Sequence, residues 1–506
     1  MKIVVVGGGT SGWLSALFIR KILPDAEVKV IASSEIGILG AGEGTTPQFP
    51  QFLKRIDISF SDVIKNAKGT IKNGIKFTNW NGDGKYYYHG FQDNLDYLKD
   101  KKYDYRAEYL NKIKNGECVD DLYLTPYISE QNQVKYKKDT NEAVGQDALH
   151  FDANLLAKYF QSVALQRNIQ LIDDEVIGVN THDDGFIKSI TLKNGDEEPL
   201  DFIFDCTGFR RLIIGQFYKT KWNSYKDKLP MNRAMPFFIQ NENEELPPFT
   251  DSIAMKHGWI WKIPVQGRYG CGYVFDSNFA TDEEILEEIR EKFGSDVVSP
   301  RTFSFDAGYY DKVCVNNCIA IGLSSGFVEP LEATSIWVQI IALTQFESNR
   351  KEILSKNQEF IDYYNQTMKS INQSVLNFIY LHYLTSRSDS KFWTTFREKN
   401  EMLPFIENLD EICQSKILDQ ASYEYLTSME NLRIDCKDVI NTNIFSRDSW
   451  LQVGSGIGFF NKDVAAKELQ ENFKDYKPSL DMIELHKNNS TDLLKHNQYL
   501  ECIKNG

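Results

Sequence analysis

The first 23 residues have the sequence pattern of a strand, a glycine turn and a helix, in that order. This pattern constrains the fold more than any other feature of the chain. The apolar, β-branched run Lys2–Val6 predicts a buried strand. The turn Gly7-Gly8-Gly9-Thr10-Ser11-Gly12 follows at once, and Trp13–Leu23 has its apolar positions at helical spacing. This pattern is typical of a dinucleotide-binding βαβ unit, in which the helix N-terminus holds phosphates. Its glycines would serve the tight turn, the approach of a pyrophosphate and the packing of the helix: Gly7, Gly9 and Gly12.

Charge and composition exclude several classes of protein. The chain has 506 residues with a net charge of −14, which argues against nonspecific binding to nucleic acid or to acidic membranes. We find no apolar run of the ~18 residues that a membrane helix needs, and Lys2 enters a strand where a signal peptide would stand. The eight cysteines are sparse and lack zinc-site spacing. We therefore expect a cytoplasmic protein with reduced thiols, no metal, and neither a nucleic-acid nor a membrane partner.

Two later segments are also rich in glycine. Residues 37–47 carry four glycines among apolar neighbours, which indicates backbone packed against a flat or anionic group. A strand predicted at 318–321 enters a second glycine turn at 322–326. The candidate cofactor-binding residues come from these three turns: Gly7, Gly9, Thr10, Ser11, Gly12, Gly40, Gly42, Glu43, Gly44, Thr45, Gly322 and Ser324.

The second half of the chain changes from strands to helices. The alternation in Gly258–Pro264 predicts a strand with the indoles of Trp259 and Trp261 on one face. From about Ile336 onward the pattern is mostly helical, and residues 358–384 predict one long amphipathic helix. A helix is also predicted to open at 150–153 and to run to about residue 165.

Four blocks of the sequence resemble the flavin-dependent halogenases of the tryptophan-halogenase family. These blocks are Gly7–Trp13, Gly37–Pro47, Gly258–Pro264 and Phe327–Ser335, with support from Lys72–Trp80, His150–Ala153, Asp205–Arg211 and His382–Trp393. The Trp-x-Trp-x-Ile-Pro block is the most specific, because it distinguishes halogenases from related flavin monooxygenases. The resemblance implies an α/β fold in which a monooxygenase-like, Rossmann-type FAD-binding module joins a mostly helical substrate module. We expect the first to span 1–335, with a substrate-pocket insertion near 67–150, and the second to span 336–506.

The resemblance also implies a reaction. FADH2 from a separate flavin reductase would react with O2 and halide to give hypohalous acid, which would cross a closed channel to a small aromatic substrate. The catalytic lysine of the family falls on Lys72 and its partner carboxylate on Glu332. The halide-binding and substrate-lining positions fall on Thr334 and Ser335, and on His89 and Phe91. Trp450 is a further candidate for an aromatic-lined substrate pocket.

The two catalytic residue types suit this chemistry in more than one way. A lysine reacts as a nucleophile when its amine is neutral, or polarises the oxidant through hydrogen bonds when it is an ammonium. Glu332 could orient the hypohalous acid or take the proton from the halogenated ring. Without the resemblance, a solvated lysine on a helix would be the commoner reading of Lys72.

Two departures from the family pattern bear on halide and substrate. Ser335 stands where the family usually has glycine, so we expect bromide or iodide to be used above chloride. Residues 445–450 lack the pattern by which tryptophan-specific members hold the amino acid, so we expect free indoles or phenols as substrates. A homo-oligomer is compatible with these expectations.

Three other functions compete with a halogenase. Gly322-Leu323-Ser324-Ser325-Gly326 matches the nucleophile elbow of serine hydrolases, although Phe327–Pro330 delays the helix that an elbow needs. An FAD-dependent aromatic hydroxylase or monooxygenase is the second, and a flavoprotein that only binds is the third. Lys72 and Glu332 argue against both flavoprotein alternatives.

Overall fold

A computed structural model describes residues 1–37, 43–91, 105–241, 245–295, 297, 299, 301–399, 401–434, 444–477 and 482–505. In chain order its strands are β1 (Lys2–Val6), β2 (Glu27–Ile31), β3 (Glu43–Gly44), β4 (Thr70–Lys72), β5 (Gly74–Thr78), β6 (Tyr86–Gly90), β7 (Gln133–Lys137), β8 (Ala148–Phe151), β9 (Gln170–Ile172), β10 (Val176–Thr181), β11 (Ile187–Leu192), β12 (Glu197–Pro199), β13 (Phe202–Asp205), β14 (Trp222–Ser224), β15 (Arg233–Gln240), β16 (Phe249–Ala254), β17 (Gly258–Val265), β18 (Arg268–Phe275), β19 (Phe303–Ser304), β20 (Gly308–Tyr310), β21 (Cys314–Val315), β22 (Cys318–Ala320), β23 (Gly326–Phe327) and β24 (Leu493–Lys495).

The α-helices of the same residues are α1 (Thr10–Ile22), α2 (Gln48–Arg55), α3 (Phe60–Asn66), α4 (Tyr105–Asn115), α5 (Leu124–Glu130), α6 (Ala153–Gln166), α7 (Asp282–Phe293), α8 (Ser335–Ser348), α9 (Arg350–Leu354), α10 (Gln358–His382), α11 (Lys391–Lys399), α12 (Pro404–Cys413), α13 (Gln420–Arg433), α14 (Arg447–Gly456), α15 (Lys462–Asn472), α16 (Met482–Ser490) and α17 (His496–Asn505). None of these helices is both long and apolar enough to cross a membrane.

The N-terminal strand lies at the centre of a six-stranded sheet. The strand order is β21-β22-β13-β1-β2-β9, and β1 pairs in parallel with β2 and β13. The helix α1 packs on this sheet, with Trp13, Leu14 and Leu17 buried. The predicted strand, turn and helix are thus confirmed, and the fold is of the Rossmann type.

A seven-stranded sheet carries the other strands that matter for function. Its order is β19-β15-β18-β17-β16-β5-β6, so the predicted strand with the two tryptophans, β17, is an inner strand. The short strand β4 lies in a separate three-stranded sheet of order β3-β8-β4, and pairs with β8. The ends of β4 and β6 place Lys72 and His89 in the interior.

The helix predicted to open at 150–153 begins three residues later than His150. His150 and Phe151 end β8, and α6 begins at Ala153. The reason is the N-cap: the Asp152 carboxylate accepts hydrogen bonds from the backbone N–H groups of residues 154 and 155.

The C-terminal helices share two hydrophobic cores. The predicted long helix is α10, and its first half packs against α8 and against β21 of the first sheet, with Ile361 and Met368 in the same core cluster as residues of α1. Its second half belongs to another cluster with α12–α14, through Val375 and Phe378. The chain beyond Ile336 is mostly helical, and the module boundary at 335/336 stays a prediction.

Candidate active site

Lys72 ends β4 and is fully buried, so the solvated helical lysine considered from sequence is wrong. Its Nζ donates a hydrogen bond to the backbone carbonyl of Thr45, at 2.9 Å, and lies 5.4 Å from the centre of the Phe91 ring. The neighbouring backbone is fixed from the far end of the chain, because the N–H of Ile71 donates to Nε2 of His496. Strand pairing and this bond hold the backbone from which the buried side chain extends.

Burial changes the acid–base chemistry of Lys72. It lowers the pKa of the lysine to about 7, and the negative charge of Glu332 opposes the shift. Near neutral pH the side chain therefore exists as both amine and ammonium. Both chemical roles considered for this residue stay accessible.

Glu332 is held between two histidines. It lies in a 3₁₀ turn, Pro330–Glu332, and its carboxylate is buried. His89 Nδ1 lies 2.8 Å from Oε2, and His382 Nε2 lies 2.9 Å from Oε1. Burial alone would raise the pKa of Glu332, but the attraction of His89 and the hydrogen bonds from both histidines outweigh it and lower the pKa to about 2. The group is an ionised carboxylate at neutral pH.

The candidate halide residues follow Glu332 directly. Ala333 has a left-handed backbone, with φ of 55°, and Thr334 is the buried N-cap of α8. The Thr334 side chain makes no capping hydrogen bond, and Ser335 is the first residue of the helix. The free backbone N–H groups of a helix start suit an anion.

Two rings that were not predicted to line the substrate pocket lie near His89, and the substrate-lining role of His89, Phe91 and Trp450 stays a prediction. The ring of Phe378 lies 5.4 Å from His89 and stacks on Phe445. Trp450 contacts Phe378, at 5.1 Å between ring centroids, and so lies one ring further from Glu332. The spacing of Phe378 and His382, four apart on α10, could have indicated that both side chains share the face toward the site.

The first glycine turn fits an anionic cofactor. A Cβ added to Gly12 would lie 1.9 Å from the Gly7 carbonyl oxygen, so the turn requires glycine there. A Cβ added to Gly9 would meet nothing within 4 Å, so space is open beside the start of α1. The hydroxyl of Thr10 is buried and has no hydrogen-bond partner among the described residues. Space beside a helix start and a hydroxyl that can still donate are what a bound pyrophosphate needs.

The second glycine turn packs against the first. Gly322 has φ of 68°, and an added Cβ would lie 2.1 Å from the Ser11 hydroxyl oxygen. That hydroxyl donates to the side-chain oxygen of Gln339, at 2.8 Å, and so joins α1 to α8. Ser324 is buried and donates to the Gly208 carbonyl. After Ser324 the chain forms β23 and the 3₁₀ turn before α8 begins at Ser335, so the nucleophile elbow of a hydrolase is not formed.

The candidates in the 37–47 segment lie beside Lys72 where they are described. Glu43 and Gly44 form β3, which pairs with β8. Burial, helped by the charge of Asp152, raises the pKa of Glu43 to about 7. The Thr45 hydroxyl bonds the backbone of Leu149, which leaves the Thr45 carbonyl for Lys72. Gly40 and Gly42 lie outside the described residues.

Comparisons with known proteins agree on one family. The family model described as tryptophan halogenase matches residues 2–471. The tryptophan 6-halogenase SttH of Streptomyces toxytricini is 30% identical over 425 residues, which cover 78% of this chain and 80% of that protein. The tryptophan 7-halogenase RebH of Lentzea aerocolonigenes is 30% identical over 426 residues, covering 78% and 79%. The solved structure of BrvH, a flavin-dependent halogenase from Brevundimonas sp. BAL3, matches with a TM-score of 0.82 and 26% identity over 99% of each chain.

Proposed function

The chain belongs to the tryptophan halogenase family, and from this premise we propose that it halogenates free, electron-rich aromatic compounds with Lys72 and Glu332 as its catalytic residues. As a flavin-dependent halogenase it is an enzyme that uses FADH2, O2 and halide, with the reduced flavin supplied by a separate reductase. The observation that carries the residue assignment is a fully buried lysine, its Nζ held by the Thr45 carbonyl, whose charge is felt by a buried glutamate that two histidines hold.

The residues of the first glycine turn would hold the cofactor. The open space at Gly9, the unsatisfied hydroxyl of Thr10 and the N-terminus of α1 all favour a pyrophosphate there. When bound, reduced FAD would pass two electrons to O2, and the oxygen so reduced to the peroxide level would oxidise halide to hypohalous acid. The other cofactor candidates stay predictions of the same proposal.

Lys72 and Glu332 then act on the oxidant and the ring. The amine form of Lys72 can take the halogen from hypohalous acid, forming an N–halogen bond as the O–halogen bond breaks, with the hydroxide and one amine proton leaving as water. The ammonium form can instead donate a hydrogen bond that polarises the oxidant. Glu332 is anionic, and each of its oxygens accepts one N–H hydrogen bond. The lone pairs that these bonds do not use can accept a proton from the ring. The Thr45 carbonyl fixes where Nζ points in either form.

The proposed substrates are free indoles or phenols. His89, Phe378 and Phe445 form a cluster of rings beside Glu332, and flat electron-rich molecules stack on such rings. SttH and RebH are tryptophan halogenases by name. This chain departs from the tryptophan-specific pattern over residues 445–450, which is why we propose simpler aromatic substrates.

The proposed halide preference is bromide or iodide above chloride. Ser335 is the first residue of α8, where glycine and serine both adopt the helical backbone, so its effect on a halide comes from its Cβ and its hydroxyl. The Cβ and the hydroxyl occupy space at the start of α8. A small, strongly hydrated chloride would need that space to reach close N–H donors.

A product screen tests the proposal. Aromatic substrates are incubated with a flavin reductase, FAD, O2 and each halide in turn, and products are identified by mass. We expect halogenated indoles or phenols whose mass follows the halide supplied. A product that gains one oxygen, whatever the halide, would indicate a hydroxylase instead. Lys65→Ala, on the exposed end of α3, is the matched control for substitutions at Lys72.

A further inference from the structure

His382 has a hydrogen-bond acceptor at each ring nitrogen. Nδ1 lies 2.9 Å from the backbone carbonyl oxygen of Phe378, and Nε2 lies 2.9 Å from Oε1 of Glu332. A backbone carbonyl carries no proton, so Nδ1 must be the donor of the first bond. An ionised carboxylate carries none either, so Nε2 must be the donor of the second. A neutral histidine has a single N–H and cannot make both bonds.

His89 differs from His382 in this respect. Its Nδ1 lies 2.8 Å from Oε2 of Glu332, and a single N–H on Nδ1 makes that contact in a neutral ring and in an imidazolium alike, so this hydrogen bond does not by itself require a charge on His89. Each oxygen of Glu332 therefore receives one N–H, from β6 on one side and from the end of α10 on the other. The two donors leave the remaining lone pairs of the carboxylate in fixed directions.

The residue after His382, Tyr383, is the C-cap of α10 and holds a second glutamate, three positions before Glu332. Tyr383 donates its hydroxyl proton to Oε2 of Glu329 and accepts a hydrogen bond from Nε1 of Trp259, at 3.1 Å. The last residue of α10 and its C-cap thus hold the two glutamates of Glu329-Pro330-Leu331-Glu332. Between Glu332 and α8, Ala333 keeps a left-handed backbone, which persists only where surrounding contacts determine it.

We propose that His382 is a positioning residue, an imidazolium that holds Glu332 as an oriented carboxylate and balances its buried charge. The proposal rests on the proposed catalytic role of Glu332 and goes beyond it, because it assigns a charge and a task to a side chain that need not touch the substrate. An isolated charge is costly to bury, and a carboxylate paired with a hydrogen-bonded cation is much less so. Because Glu332 already has this partner, Lys72 is not its only counter-ion.

Nitrogen NMR of the holoenzyme tests the charge directly. The chain has seven histidines, and selective ¹⁵N labelling of their rings reports the protonation of each nitrogen. At the assay pH, where an unperturbed histidine is mostly neutral, we expect the His382 ring to have both nitrogens protonated. Its signals should vanish in His382→Gln and change to those of a neutral ring in Glu332→Gln. If the wild type shows no doubly protonated histidine, the proposal is overturned, whether or not either variant folds.

Kinetics then separate positioning from structure. The amide of His382→Gln can still donate to Glu332 but carries no charge. We expect its kcat for halogenation to fall roughly 10- to 100-fold, with KM for the aromatic substrate within about 2-fold and flavin affinity unchanged. His182→Gln, at an exposed position, is the matched control. Unchanged kcat in His382→Gln would overturn the positioning role. The NMR experiment tests the charge of His382 without any substrate, so its outcome does not depend on which aromatic compound the enzyme uses.

Discussion

The amine of Lys72 is tied to the backbone carbonyl of Thr45 by a 2.9 Å hydrogen bond inside the protein. A backbone acceptor has no charge to give the ammonium form, so burial dominates and the pKa of Lys72 falls to about 7. The lysine is thereby oriented without being locked in an ion pair, which is the state a nucleophilic amine needs.

Lys72→Met should abolish halogenation while flavin binding persists. Methionine matches the apolar stem, so the buried site stays filled and the reacting nitrogen is lost. We expect the rate of product formation to fall on the order of 10³-fold, with the flavin affinity and Tm of the parent retained. Flavin titration and product mass measure the two effects, and Lys65→Ala is the control. Parent-like turnover by Lys72→Met would show that halogenation does not require the Lys72 amine.

The rate of halogenation should rise with pH through about 7. Burial lowers the pKa of Lys72 and so favours its neutral amine. The negative charge of Glu332 opposes this lowering, but Glu332 already accepts hydrogen bonds from His89 and His382. Glu332→Gln removes that opposition, so any residual activity should have its midpoint at lower pH. Single-turnover rates with pre-reduced flavin, measured beside the rate of flavin oxidation, give the profile. A rate that falls with rising pH would indicate the ammonium role instead.

Gly9→Val and Gly12→Ala should fail in opposite ways. A side chain at Gly9 enters open space, so the fold should survive while flavin affinity drops at least about 10-fold, a free-energy loss of about 1.4 kcal/mol. A Cβ at Gly12 collides with the Gly7 carbonyl, so stability should fall by about 1–3 kcal/mol. Flavin titration and thermal unfolding of both variants check the pair. Parent-like flavin binding by Gly9→Val would move the cofactor away from this turn.

Glu329→Gln should change how stability depends on pH. Burial raises the pKa of Glu329 from its ordinary 4.5 to about 7, so the folded state favours the protonated acid. The stability this gives is complete below the unfolded pKa and is lost as pH rises through about 7. Glutamine stays neutral at both pH values. The free energy of unfolding of the variant, relative to that of the parent, should therefore rise by roughly 1–3 kcal/mol between pH 5 and pH 8. Denaturant unfolding at both pH values measures it, with Glu287→Gln as an exposed control. A difference in unfolding free energy between variant and parent that does not change with pH would contradict the raised pKa of Glu329.

The sequence was enough to predict the elements that are local in the chain. The strand, turn and helix of residues 2–22 come from apolar spacing and glycine alone, and so does the long helix α10. The burial of Lys72 could not be predicted in this way. Its strand has three residues and no alternation, and it is enclosed by β8 and by His496, which is 425 positions from Ile71.

The partners of Glu332 were hidden for the same reason. His89 and His382 lie 243 and 50 positions away from it in the chain, on different elements. Each histidine alone is a common buried residue, and only the packing of β6 against α10 shows that both hold one carboxylate. The resemblance to a family named the lysine and the glutamate; the hydrogen bonds between distant segments show how their charges are set.

Ser335→Gly should improve the use of chloride relative to bromide. A halide must lose water before it reacts, and that cost is greatest for the smallest ion, so chloride depends most on close N–H donors at the start of α8. Removing the Cβ and hydroxyl of Ser335 opens that space, while Ala333, already left-handed, keeps the turn before it. The parent should favour bromide or iodide over chloride, and the variant should raise the chloride-to-bromide product ratio by roughly 3- to 10-fold. Competition assays with mixed halides, scored by product mass, give the ratio, and Ser348→Gly at the other end of α8 is the control. Chloride winning at equal concentration in the parent would refute the preference, and an unchanged ratio in Ser335→Gly would show that Ser335 does not set it.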